Sequence, residues 1–141
     1  MGAYEQWSNL TPAEKMVITA MMSNPLTVVK VPLIKMSKDT AYNETIRRFG
    51  RNGRNDRTDA FRHCFWSSVL SRDIGYYWAK LFTDAHETNP DNPADEKEMD
   101  LHNNSVGLKI GFYYFIPDSN TNLSDKCNKA LENGELKVLN P

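Results

Sequence analysis

Residues 55–70, Asn-Asp-Arg-Thr-Asp-Ala-Phe-Arg-His-Cys-Phe-Trp-Ser-Ser-Val-Leu, decide the fold class. Ala60, Phe61, Cys64, Phe65, Val69 and Leu70 recur at helical spacing, and Asn55 or Asp56 stands where a helix needs an N-cap. The spacing predicts a long helix with one apolar face. Before it, residues 50–55 hold two glycines and two asparagines, which tolerate positive φ and mark a loop. After it, Asp73-Ile74-Gly75 predicts a corner, then a helix carrying Trp78, Leu81, Phe82 and Ala85 that ends near Glu87.

The same reading extends to both ends. Thr11-Pro12-Ala13-Glu14 offers a cap, a first-turn proline and a capping-box glutamate, so a helix should run to about Met22. Asn24-Pro25 opens a second segment that Pro32 should break or kink. Residues 39–49 read as a helix with Ala41, Thr45 or Ile46, and Phe49 on one side. Residues 88–93 form a second loop. Pro93 and the acids at 95, 96 and 98 suit the positive end of a new helix reaching about Ile110. The aromatic run 112–116 should extend that helix or pack as a tail, and residues 122–132 form a last helix stopped by Gly134. No strand pair is visible. The expectation is a mainly α fold: one compact domain over residues 1–141, of about five to seven helices, with 1–10 and 117–141 peripheral.

Composition narrows the function classes. The 141 residues are 40% hydrophobic and 25% charged, enough for one core. A net charge of -1 argues against nucleic-acid binding through bulk electrostatics. Two cysteines are too few for a disulfide scaffold, and Cys64 falls on the apolar helix face. No stretch approaches the roughly 20 apolar residues of a membrane span. Met-Gly-Ala-Tyr-Glu-Gln-Trp carries no secretory signal, so action outside the cell implies delivery by other means or release from a longer chain. Charge is uneven. Residues 47–57 hold five arginines and one aspartate, suited to an anion; residues 84–100 hold seven carboxylates and one lysine, suited to a cation or a solvated face.

All three histidines lie in residues 63–102, each in a polar string. Asp59 and His63, four residues apart, share a helix face. The aspartate can fix the tautomer of a histidine base, both can ligate a metal, or the pair can simply stabilise the helix. His86 and Glu87 diverge by about 100° on a helix, and a C-terminal histidine also suits the helix dipole. In the third string Glu98 and His102, and Asp100 and Asn104, stand four apart. Asn103-Asn104 is a poor helix choice that calls for a buried hydrogen-bond network or a ligand. Three such strings predict one shared site. His63, His86, Glu87, His102 and Asp59 are its catalytic candidates. Arg54, Arg57, Arg62, Asn103 and Asn104 are candidates for substrate binding, and Asp59, Glu87 and Asp100 for a divalent metal ion. Mixed O and N ligands admit calcium, magnesium, manganese or zinc.

Residues 52–66, then Asp84-Ala85-His86-Glu87, then residues 99–107 (Met-Asp-Leu-His-Asn-Asn-Ser-Val-Gly) resemble the motifs of a group of bacterial domains at the C-terminal ends of secreted or polymorphic toxins. The likeness covers roughly residues 10–112. It implies a secreted antibacterial effector, delivered into a target bacterial cell, with a cognate immunity protein as partner; it implies no particular reaction. A fainter similarity to secreted phospholipase A2 lies in the glycine loop before a histidine helix. Cys64 replaces the aspartate that follows the histidine there, and the paired half-cystines are missing.

The leading expectation is a toxin hydrolase acting in the envelope on a lipid or lipid-linked, phosphate-bearing substrate. His63 or His86 would serve as base, Asp59 or Glu87 would orient it or bind a cation, and Arg62 and the arginine loop would meet phosphate charge. Alternatives are a metal-dependent nuclease, a Cys64 amidase and a non-enzymatic binding module.

Overall fold

Short-range side-chain caps start three of the helices. The computed structural model describes residues 3–141, with side chains from Gln6 onward. The elements are α1 (Ala3–Ser8), α2 (Pro12–Met22), a 3-10 turn (Val28–Lys30), α3 (Val31–Phe49), α4 (Arg57–Ile74), α5 (Tyr76–His86), α6 (Ala94–Gly111) and α7 (Asn120–Glu132), with no strand among the described residues. Thr11 and Glu14 close a reciprocal capping box on α2. Asp56 accepts the Asp59 N–H on α4, and Ser119 accepts the Asn122 N–H on α7. Gly50 ends α3 with φ 72, a conformation open to glycine at little cost.

Helix α4 is the axis. Thirteen of its eighteen residues are buried, and it packs against α3, α5, α6 and α7. Phe49, Phe61 and Phe65 form one aromatic stack on its α3 side. On the other side α6 runs parallel to α4 at very short range. A Cβ on Gly107 would stand 2.0 Å from the Cys64 carbonyl oxygen, and one on Gly111 2.0 Å from that of Ser68. Only glycine permits that approach. It sets Asp100 and Asn104 of α6 beside Asp59 and His63 of α4, and it lets Ser71 donate to the Leu108 carbonyl at 2.8 Å.

Three expectations change, and one alternative is decided. Pro32 does not break a helix but sits in the first turn of α3, where no intrahelical N–H is missed, so α3 starts eight residues earlier than residue 39. In α3 Thr45 turns inward and Ile46 outward. The run 112–116 does not extend α6 and packs only at its start: Phe112 is extended with ψ 137 and meets the Tyr76 ring, while all five side chains stay exposed. Residues 117–141 are not peripheral, because Leu123, Cys127, Ala130, Leu131 and Leu136 belong to the core. Cys127 reaches Cys64, with both thiols free and buried and their sulfurs 3.1 Å apart. That contact, with burial, pushes the Cys64 thiol well above its ordinary value, opposite to what a nucleophile needs.

Candidate functional site

His63, almost two turns into α4, is the hub. Its Nε2 lies 3.2 Å from Asp59 Oδ1 and 3.3 Å from Asp100 Oδ1. Its Nδ1 lies 3.2 Å from Asn104 Oδ1 and 3.9 Å from Glu87 Oε2. The ring therefore has a carboxylate pair on one nitrogen and a carboxamide on the other.

The carboxamide decides the proton. Glu87 is buried and its carboxylate can only accept, so it takes the Asn104 Nδ2–H at 3.0 Å. Asn104 Oδ1 must then face His63, with Ser67 Oγ donating to the same oxygen at 3.1 Å. His63 accordingly carries a proton on Nδ1 and donates it to Asn104. Nε2 is left facing two carboxylate oxygens, which demands a positive charge there, either a second proton or a cation.

Loop 50–56 holds Asp59 in place. Asn55, at φ 60, donates its backbone N–H to Asp59 Oδ2 at 2.6 Å. Arg62 donates to Asp59 Oδ1, to Asn52 Oδ1 and, at 3.2 Å, to the Gly53 carbonyl. Gly53 fits because a Cβ would meet the Asp56 carboxylate at 1.9 Å. Asp100 has no such support. Its Oδ1 is buried and accepts no hydrogen bond, the only such side-chain atom among the described residues. Burial pushes the Asp100 carboxyl up to about 6, and the charges of Glu87 and Asp59 add to this against the pull of His63. Burial alone would lower His63; the Asp59 hydrogen bond and the charges of Asp100, Asp59 and Glu87 raise it instead.

Asp59, His63 and Asp100 thus form a group that can hold a metal ion, one ligand atom each, all within 4.8 Å of one another. Ligands about 2.1 Å from a common ion stand roughly 3.0–3.4 Å apart, which matches the two Nε2 distances. Three carboxylates, including Glu87, face Arg62 and His63, so the centre keeps a net negative charge even with the imidazole protonated. The metal candidates were Asp59, Glu87 and Asp100. His63 takes the place of Glu87, which is turned onto Asn104.

His86 lies across Trp66 from this hub. The Trp66 ring is edge-on to both imidazoles, with centroids 6.4 Å from His63 and 5.1 Å from His86. Glu14 of α2, absent from the sequence candidates, accepts from His86 Nδ1 at 3.1 Å through Oε2, while its Oε1 caps Thr11 at 2.8 Å. Burial opposes the Glu14 charge, but the His86 and Thr11 hydrogen bonds hold its carboxyl below the ordinary value. Glu14 read as a capping residue alone; nothing local signals a partner 72 positions away.

The remaining candidates lie elsewhere. His102 is exposed on α6 and donates from Nε2 to the Glu135 carbonyl at 2.8 Å. Asn103 pairs with both the N–H and the carbonyl of Lys137, at 2.8 and 2.9 Å. Both pin the C-terminal tail, and the expected meeting of three imidazoles does not form: His63 sits among the carboxylates, and His86 pairs with Glu14 on the other side of Trp66. Arg62 is spent on Asp59 and the loop. Arg54 pairs with Glu96 and Arg51 with Asp56, each at 2.9 Å, so the basic and acidic blocks partly neutralise each other. Arg57 is exposed and has no ion-pair partner among the described residues.

The fold and the site define an all-helical domain with a buried carboxylate–imidazole centre. Residues 18–135 match the family described as a domain of unknown function, DUF6973, and the chain belongs to that family. No solved structure matches it. No described helix is long and apolar enough to cross a membrane.

Proposed function

We propose that this domain is a cation-dependent hydrolase, an antibacterial effector that cleaves a phosphate-bearing lipid or lipid-linked envelope molecule. One observation carries the reading: His63 Nε2 stands between two carboxylates while its other nitrogen is tied to Asn104, and Asp100 Oδ1 faces Nε2 at 3.3 Å without a hydrogen bond. A structural polar network would satisfy that oxygen. A divalent cation held by Asp59, His63 and Asp100 would satisfy it, and would polarise a substrate oxygen and offset developing negative charge.

The chain's own groups supply the proton transfer. Glu14 fixes the Nδ1–H tautomer of His86, so Nε2 is free to take a proton from water, and the buried carboxylate stabilises the imidazolium that forms. The water oxygen bonds to the electrophilic centre, the ester oxygen departs, and the proton on His86 returns to that oxygen. Glu87 and Asn104 hold His63, while Arg57 offers an unspent charge to phosphate. The effector role, with an immunity protein as partner, is supported by the toxin-like motifs, all three of which contribute residues to this centre.

The test is turnover by the purified chain on phosphatidylglycerol vesicles and on a polyprenyl-pyrophosphate substrate, with chelator and then with magnesium, calcium, manganese or zinc restored. Hydrolysis should require one of these ions, and His63→Ala or His86→Ala should lower it by about 10²–10⁴. Cleavage of plasmid DNA instead would establish the nuclease alternative. Toxicity that survives both substitutions would leave a binding module.

A further inference from the structure

The run Phe112-Tyr113-Tyr114-Phe115-Ile116 joins α6 to α7 without packing on either. Tyr114, Phe115 and Ile116 are 82, 93 and 84% exposed. The chain is extended at Phe112 and bends at residues 114–116, so three consecutive apolar side chains are bared at the tip of a loop rather than along one face of an element. A medium that closes around the loop suits this pattern, and a fluid bilayer does so. Tyrosine and phenylalanine also suit the boundary between lipid headgroups and acyl chains, where the ring is buried and a hydroxyl stays wet.

The surroundings carry matching charge. Lys109, one turn before the loop, is exposed and has no ion-pair partner among the described residues. The nearest acid in sequence, Asp118, is neutralised by Lys126 at 2.5 Å. Tyr76 packs on Phe112 and Phe112 on Tyr114, at 6.1 and 4.9 Å between centroids, with Tyr77 exposed alongside. From Tyr76 a groove of about 580 Å³ follows the α5–α6 seam past Lys80, Leu108 and Leu101 to Asp84 and Lys97. Those last two are each three residues from a member of the centre, Glu87 and Asp100.

We propose that loop 112–116, with Tyr77 and Lys109, is an interfacial anchor that docks the domain onto an anionic lipid bilayer. Binding needs no turnover, so the proposal stands or falls apart from the hydrolase reading.

Co-sedimentation of the full chain with vesicles tests it. Vesicles of seven parts phosphatidylcholine to three parts phosphatidylglycerol should bind the wild-type chain better than pure phosphatidylcholine. The double variant Phe115→Ser/Ile116→Ser should lose about tenfold or more of the partition coefficient, because two fully bared apolar side chains no longer enter lipid. Lys109→Glu should lose several-fold on the anionic vesicles only. A Tyr114→Trp reporter should shift to the blue on binding and be quenched by brominated lipid. Equal sedimentation of wild type and double variant would overturn the proposal, as would no binding by either. A concentration-dependent dimer abolished by the double variant, without vesicle binding, would overturn it in favour of a second copy of the chain.

Discussion

Replacing Asp100 by asparagine should have opposite effects in the metal-free and metal-loaded protein. In the metal-free centre the Asp100 carboxyl is raised from its ordinary 3.8 to about 6, chiefly by burial. Each tenfold change in acidity is worth about 1.4 kcal/mol, so ionised Asp100 costs the fold about 3 kcal/mol. The sign follows from the raised value. Below the unfolded value of 3.8 both states are protonated and no cost exists; it grows between 3.8 and 6 and is complete above 6. Asparagine keeps the shape and removes the charge. In chelator, urea unfolding followed by circular dichroism should show Asp100→Asn more stable than wild type by about 3 kcal/mol at pH 8, and equal to it near pH 3.5. With a binding cation at about 100 times its dissociation constant the wild type should gain about 2.7 kcal/mol and the variant almost none. A variant no more stable than wild type at pH 8 in chelator would refute the electrostatic account. An equal gain from cation in both proteins would remove Asp100 from the ligand set.

Other substitutions examine the supports of the site. Glu14→Gln keeps a group that can cap Thr11 but removes the charge on His86. It should cost about 1.5–3 kcal/mol at pH 7. Because the Glu14 carboxyl is held below 4.5, that deficit should vanish as pH falls through its lowered value, as read from acid unfolding of the two proteins. Gly107→Ala should destabilise by about 1–3 kcal/mol or more, because the added methyl meets the Cys64 carbonyl at 2.0 Å and the α4–α6 approach must widen; thermal melts measure it, and an unchanged melting temperature would deny the close approach. His102→Ala should leave turnover within about twofold while losing only the bond to the tail, near 1 kcal/mol of stability. A catalytic collapse in that variant would return His102 to the active centre.

Much of the fold was legible because its signals are local. Thr11 with Glu14, Asp56 and Gly134 act within a few residues of the helix ends they mark, and the apolar spacing of 60–70 requires only a helical backbone. Pro32 was misread because proline has two helical meanings, breaker inside and starter at the first turn, and the 3-10 turn that places it at a start has no strong signal. The loop 112–116 was misread because five apolar residues normally imply burial, while here the chain leaves α6 at Gly111 and runs outward. Of the site, the Asp59–His63 pair was visible as two residues on one face. The Asn103-Asn104 anomaly was visible too, but not that its halves serve different ends: Asn104 holds His63 and Asn103 holds the tail.

Sequence by itself determined the helical class, the caps, the Asp59–His63 pair and the concentration of polar strings, since each depends on contacts within about one turn. Tertiary structure alone decided which strings meet. Gly107 and Gly111 bring α6 against α4 and carry Asp100 and Asn104 to His63, and α2 delivers Glu14 to His86. The same packing sends His102, two residues beyond Asp100, to the opposite side. Two helical positions so close in sequence point about 200° apart, so only the neighbour that each face finds can assign a role.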